Sequence, residues 1–253
     1  MMINRENIHK ALADFCKEKG YERFNLKTVM FDMDGVLFDS MPNHASSWHK
    51  AMTDFGLDLS EAEAFMHEGR TGSGTINIVS QRQFGKSVDK ATCQKIYKRK
   101  SEYFSQCPTA QRMPGAYESV CNVKATGVTP IIITGSGTQS LLDRIETNFP
   151  NLFHHEWMVC AKDVKLGKPN PEPYLMGLKK AGNLSPSNSI IIENAPLGVQ
   201  AGHAANCFVV AVNTGPLPDE ALLNEGANIL FHSMTELSEN ITTLINEANN
   251  LNI

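Results

Sequence analysis

Two carboxylates one residue apart, Asp32 and Asp34, stand directly after the apolar run Val29-Met30-Phe31 and directly before Gly35. Alternate residues of an extended segment share a side, so the two acids emerge together. Like charges held that close repel unless a cation or a proton lies between them. The pair therefore predicts a cation-assisted site, with Asp32 as nucleophile and Asp34 as acid/base. Calcium loops also contain Asp-x-Asp-Gly, but an EF-hand puts its glycine at the sixth loop position and a glutamate at the twelfth. Here glycine comes fourth, and Val36-Leu37-Phe38 is too apolar for a cation loop. A solvated turn is the remaining bland reading. Open α/β sheets hold their ligands at strand carboxyl ends, which is where this run places the acids.

Three further segments have the same build. Ile131-Ile132-Ile133-Thr134-Gly135-Ser136-Gly137-Thr138 leads an apolar strand into hydroxyls and glycines, followed by the helical pattern Leu141, Leu142, Ile145. Backbone N–H groups at such a turn bind phosphate, and a hydroxyl adds a donor. Lys165 to Tyr174 carries Lys168 directly before Pro169, with Pro171 and Pro173 beyond, and these prolines stiffen the backbone and fix where the amine points. Ser189-Ile190-Ile191-Ile192-Glu193-Asn194 again ends a strand in oxygen ligands, with Pro196 and Gly198 opening the next helix.

The four segments, in this order, resemble the motifs of the haloacid dehalogenase superfamily of phosphotransferases, across residues 27–245. The resemblance implies an α/β fold, a doubly wound parallel-sheet Rossmann-like core. It implies that Asp32 takes the phosphoryl group and Asp34 is the general acid/base. Thr134 and Lys168 hold the transferring phosphoryl, with Gly135 and Ser136 beside it. Mg²⁺ is the implied cofactor, with Asp32, Asp34, Glu193 and Asn194 around it. Asn194 departs from the superfamily pattern, where aspartate is usual, and it removes one negative charge.

Composition agrees with a folded enzyme. The chain has 253 residues, enough for a core and a smaller module. Its apolar content is 42% and its net charge −4, without a basic stripe, which argues against a nucleic-acid partner. No apolar run is long enough to span a bilayer, and the charged start lacks a signal-peptide core. Cys16, Cys93, Cys107, Cys121, Cys160 and Cys207 show no Cys-x-x-Cys pairing and read as free buried thiols of a reducing cytoplasm. A cytoplasmic monomer or weak homodimer acting on a small phosphorylated substrate is the expectation.

The elements that position these residues follow from periodicity. Residues 3–19 read as a peripheral helix (Ile8, Leu12, Phe15) within an N-terminal extension, residues 1–25. Asp39 or Ser40 caps a helix with Pro42 in its first turn and a stripe of Trp48, Ala51, Met52 and Phe55. Ser60 and Glu63 match a capping box. Helical spacing continues past Ile76 and through residues 88–106. Met113-Pro114-Gly115 ends that pattern, and strands at 129–134, 157–160, 189–193, 207–213 and 228–231 alternate with helices. Residues 40–112 are thus an inserted all-helical cap, and residues 1–39 with 113–253 form the core. The last residues, from Asn249, are expected to fray.

A helical cap directly after the first motif resembles the β-phosphoglucomutase-like subgroup. His44 and Trp48 resemble a cap element whose histidine bonds near the acid/base. Lys100, within Lys98-Arg99-Lys100, is placed like a cap lysine that touches substrate, although a solvated helix face is the plain alternative. Met66 to Gly74 reads as a glycine-rich loop carrying Glu68 and Arg70 toward the site. Thr75 stands where the mutase pattern has arginine. Together with Glu193-Asn194, this loop is more similar to the subgroup's inorganic pyrophosphatase branch. A Glu68 carboxylate would repel a bare phosphate but be stabilised by a cation, restoring the charge missing at Asn194. The plain alternative is that Glu68 caps a helix. His154-His155-Glu156 reads as surface. The expectation is therefore a Mg²⁺-dependent phosphohydrolase acting through a phospho-aspartate, pyrophosphate first. β-Phosphoglucomutase or sugar-phosphate phosphatase is the alternative, and a non-catalytic phosphate-binding regulator the reading outside enzymes.

Overall fold

Strands β1 (Thr28–Phe31), β2 (Thr129–Ile132), β3 (Ser189–Glu193), β4 (Phe208–Val212) and β5 (Ile229–Phe231) form one parallel sheet in the order β2-β1-β3-β4-β5. The computed structural model describes residues 3–135 and 139–251. Side chains alternate across the sheet. Val29, Phe31, Ile190, Ile192, Phe208 and Val210 enter one apolar layer, while Met30, Ile131, Ile191, Val209 and Ala211 enter the other. Burial on both faces explains why the strands read as continuous apolar runs.

Helices α1 (Arg5–Lys19), α6 (Ala116–Ala125), α7 (Gln139–Asn148) and α11 (Met234–Asn250) belong to the α/β core, as do α8 (Glu172–Lys180) and α9 (Pro196–Ala204). The buried residues of α1, α6 and α11 line the first layer, and those of α8 and α9 the second. A short helix, α10 (Glu220–Leu223), precedes β5. Between β1 and β2 lie α2 (Met41–Asp54), α3 (Glu61–Met66), α4 (Gly72–Phe84) and α5 (Lys90–Ser105). They share a separate core of Met52, Leu57, Leu59, Ile76, Val79 and Ile96. The fold is an α/β doubly wound core carrying an all-helical cap.

Several local expectations change. The strand at 157–160 is a single bridge from Ile133 to Val159, because a 3₁₀ turn at His155–Trp157 takes up the residues before it. Helix α1 is no peripheral appendage: Ile8, Leu12, Phe15 and Cys16 are buried in the main core, with Phe15 packed on Phe24 and Phe208. Phe55 leaves the α2 stripe and is 41% exposed, since the helix ends before it. Glu63 completes only half of a capping box; its backbone N–H reaches Ser60 but its carboxylate turns to Arg82. Gly72 and Gly74 belong to α4, so the cap loop is shorter than expected. Leu251 packs into the core instead of fraying. Cys107 and Cys121 are only half-buried, and all six thiols are free. Among the described residues no helix is long and apolar enough to cross a membrane.

Candidate active site

Asp32 is the first residue beyond β1, and its N–H donates to the Ile192 carbonyl of the adjacent strand, 3.0 Å away. This bond carries the sheet register one residue further and fixes the acid at the sheet's carboxyl edge. Gly35 then turns the chain with φ of 82°, and its N–H donates to the Phe38 carbonyl. A side chain in that left-handed conformation is strained, which explains the glycine after the second acid.

The two acids meet different partners. Asp32 accepts from Lys168 Nζ, which also donates to Glu193 Oε1 at 2.5 Å. Burial raises the Asp32 pKa, and Glu193 and Asp34 add to it against the pull of Lys168. Burial also works against the charge on Lys168, but Asp32 and Glu193 hold its pKa above the ordinary lysine value. Asp34 Oδ1 accepts from Ser40 Oγ at 2.5 Å and lies 3.6 Å from His44 Nε2. Burial opposes its charge, yet His44, Ser40 and the more distant Arg144 bring the Asp34 carboxyl down to about 2. Ser40 is thus no helix cap by its side chain; it serves Asp34 instead.

The cap reaches the same place from above. His44 on α2 stacks on Phe104 of α5, with centroids 4.2 Å apart, and its Nδ1 lies 2.8 Å from Lys100 Nζ. A charged lysine can only donate. The imidazole proton therefore sits on Nε2, facing Asp34. Lys100 is buried, not part of a solvated face, and burial lowers its pKa to about 8 against the attraction of Asp34. Its neighbour Arg99 pairs with Asp54 away from the site.

Glu193 is the buried centre of a second cluster. Its Oε1 accepts from Tyr174 Oη at 2.5 Å, and its Oε2 from the Asn194 N–H at 3.1 Å. Gly198, in the first turn of α9, makes room for it: a Cβ there would stand 1.9 Å from Oε1. Asn194 Nδ2 donates to Glu68 Oε2 across 3.1 Å, joining core to cap loop. Helix capping is not the role of Glu68, because Thr71 caps α4. Glu68 Oε1 and Asn194 Oδ1 are sealed from solvent without a hydrogen-bond partner. Burial raises the Glu68 pKa well above normal, and Asp32, Glu193 and Asp34 push the same way.

These two orphaned oxygens, on side chains that touch each other beside buried carboxylates, are hard donors of the kind that could hold a small divalent cation such as Mg²⁺. Among the described residues no three His, Cys, Asp or Glu side chains stand as a ready ligand group. That follows from the chemistry here, in which one donor is the asparagine oxygen and Lys168 bridges Asp32 and Glu193. The residues fit the ion.

A cavity of about 280 Å³ opens over Asp32 and Asp34. Its lining includes Lys168, Thr134 and Gly135 from the core and Arg70, Lys100 and Trp48 from the cap. Arg70 Nε is sealed and unpartnered, a donor waiting for an acceptor. Ser136 lies outside the described residues. Thr134 is buried at the end of β2, its N–H donating to the Val159 carbonyl. His154 stacks on Trp157 and His155 pairs with Glu146, away from this cavity. Sequence reasoning missed Tyr174, His67, Lys165 and Tyr97. Tyr174 had a signal: a tyrosine on the apolar face of a helix needs a buried acceptor. His67 and Tyr97 line the cavity because the cap folds over it, and Lys165 lines it from the core.

Residues 29–212 match the profile of haloacid dehalogenase-like hydrolases. Hexitol phosphatase A of Escherichia coli is 32% identical over 214 residues, covering 84% of this chain and 93% of that protein. Glycerol-1-phosphate phosphohydrolase 1 of Saccharomyces cerevisiae is 28% identical over 204 residues, 75% of each chain. A solved structure from Bacteroides vulgatus, named provisionally as a beta-phosphoglucomutase, superposes with a TM-score of 0.92 at 55% identity, covering 97% of this chain and 99% of that one.

Proposed function

This chain belongs to the haloacid dehalogenase-like hydrolase family, and from that premise we propose that it is a phosphohydrolase acting on a small phosphorylated sugar or polyol through Asp32. One observation carries the substrate class. The cavity over Asp32 is walled on the cap side by Trp48, Met41, Ala45 and Ala64, with Lys100 and Arg70 among them. Carbohydrates offer C–H faces to aromatic rings and hydroxyls to charged donors. Pyrophosphate has no apolar surface to match such a wall. The named relatives likewise favour a carbohydrate phosphate over the pyrophosphate expected first.

The residues divide the work. Asp32 attacks phosphorus, forming an Asp32–phosphorus bond as the bond to the substrate oxygen breaks. Asp34 gives that oxygen a proton. In the second half Asp34 takes a proton from water, the water oxygen bonds to phosphorus, and the Asp32–phosphorus bond breaks. The contacts from Ser40 and His44 keep Asp34 ionised, the form this second half needs. An arriving phosphate dianion raises the proton affinity of Asp34 for the first half. Lys168 and Thr134 hold the phosphoryl oxygens, with Gly135 at the same turn, and Ser136 is assigned there from sequence. Lys100 and Arg70 bind the substrate beyond the phosphorus, and His44 orients Asp34. Mg²⁺ would be held by Asp32, Asp34, Glu193, Asn194 and Glu68, and when bound it supplies positive charge to the transferring phosphoryl group.

One observation favours a second reading, pyrophosphate. The Glu68–Asn194 contact brings a carboxylate down from the cap, which narrows the site toward a small, highly charged substrate. A single panel separates the cases. Phosphate release is measured from a hexitol phosphate, β-glucose 1-phosphate and pyrophosphate, alongside glucose 6-phosphate formation. Hexitol phosphate should be hydrolysed fastest, and Asp32→Asn should abolish release with an unchanged circular dichroism spectrum. Activity of that variant within about tenfold of wild type, ~1.4 kcal/mol of transition-state stabilisation, removes the nucleophile assignment. Fastest release from pyrophosphate promotes the second reading. Rapid isomerisation with negligible release makes the protein a mutase.

A further inference from the structure

A second cavity, about 520 Å³, lies in the cap between α4 and α5, lined by Asn77, Val88, Cys93, Gln94 and Lys98 among others. It shares two residues with the cavity over Asp32: Gly72 and Tyr97. A single residue pair therefore stands between the two spaces. The Tyr97 ring lies directly on the backbone of Gly72, where a Cβ would come within 2.3 Å of ring carbon Cδ2 and 2.7 Å of Cε2. Only glycine permits that seat. On its other side the ring leans toward Trp48, with centroids 6.0 Å apart and planes inclined by 56°. Trp48 in turn carries Lys100 Nζ at 5.6 Å from its centroid. Gly72, Tyr97, Trp48 and Lys100 thus form a continuous corner in the lining of the first cavity.

We infer that Tyr97, seated on Gly72 and itself 49% exposed, is the partition that limits the size of the leaving group, and that the second space, an open groove on the cap, is an extension of the substrate site that this ring shuts off. The inference rests on the phosphohydrolase reading for what enters the first cavity. The corner has the chemistry of a carbohydrate stop: two aromatic faces and one ammonium. Beyond it, Asn77, Gln94, Lys90 and Lys98 offer the amide and ammonium donors that hydroxyls of a second sugar ring would use. Shortening Tyr97 removes the ring without touching Asp32, Asp34 or Lys168, and the two spaces become one.

The test compares a small ester, erythritol 4-phosphate, with a disaccharide ester, trehalose 6-phosphate. Affinities are measured by calorimetry in the Asp32→Asn background, where turnover does not consume the ligand, with Tyr97 intact, as Tyr97→Ala and as Tyr97→Leu. Leucine keeps apolar cover on the cap core, so it serves if alanine unfolds the cap. The expected result is a shift of the affinity ratio by at least tenfold toward the disaccharide in both variants. An unchanged ratio, or equal weakening of both esters, overturns the partition. Turnover of both esters by protein with Asp32 and Tyr97 intact is read separately. Absence of phosphate release there counts against the phosphohydrolase reading, while the affinity ratio still decides the partition.

Discussion

Replacing Glu68 by glutamine should make the cation-free protein more stable and its response to Mg²⁺ weaker, two effects of opposite sign at one atom. Glu68 as a residue is half-buried, but its Oε1 is sealed and unpartnered, and Oε2 has only Asn194 Nδ2. Burial, with Asp32, Glu193 and Asp34 nearby, raises its pKa well above 4.5. An acid whose pKa is higher folded than unfolded takes up a proton on folding. Its contribution is fully present below the unfolded pKa and is lost as pH rises toward the folded one. That loss is larger at pH 7, well above the ordinary value of 4.5, than at pH 5, close to it. Glutamine has the same shape and no such loss. At roughly 2–4 °C per kcal/mol for a chain this long, the variant should melt on the order of several °C higher than wild type in EDTA at pH 7, and by less at pH 5. Losing an anionic oxygen should also weaken Mg²⁺ by about tenfold or more, ~1.4 kcal/mol, so the rise in melting temperature on adding Mg²⁺ shrinks by roughly 3–6 °C. Scanning fluorimetry at both pH values, with EDTA and with Mg²⁺, measures all four quantities. A variant that melts lower than wild type in EDTA at pH 7, or one with an undiminished Mg²⁺ increment, would refute the placement of Glu68 at a cation.

Two further substitutions probe the same site from other sides. Gly198→Ala puts a Cβ where Glu193 Oε1 now lies, 1.9 Å away. It should destabilise the protein by about 1–3 kcal/mol and raise the Mg²⁺ concentration for half-maximal phosphate release by about 10–100-fold, as read by melting and by a Mg²⁺ titration. Lys100 discharges near pH 8 because burial lowers its pKa, so kcat/KM for an anionic substrate should fall as pH climbs through that value. Lys100→Met should be slower at neutral pH and lose that limb of the profile; an unchanged limb would show that another group titrates there.

The core, and the gathering of its polar residues at one sheet edge, were legible in the sequence alone. The pairing of Asp32 with Asp34, and the placing of Thr134, Lys168 and Glu193 at or after apolar runs, are local patterns. In a parallel sheet buried on both faces, each apolar run ends at the same edge, so residues far apart in sequence arrive together. Strand β3 lies at Ser189–Glu193 as expected, and the other sheet strands differ only at their ends. Short-range rules were less dependable where a side chain had two possible partners. Ser40 chose Asp34 over its own helix, and Glu63 chose Arg82 over its cap.

Tertiary structure decided what the cap contributes. A lysine on a charged helix reads as solvated, and nothing within Lys98-Arg99-Lys100 distinguishes the third from the first two. Packing against Phe104 and Trp48 buries Lys100 and sets it on His44, while Arg99 turns to Asp54. Tyr97 and Gly72 come together across two helices, a contact that no spacing along the chain encodes. Sequence periodicity reports which face of each element is apolar. Which side chains meet across the gap between core and cap depends on how those faces dock, and that docking sets the shape of the cavity over Asp32.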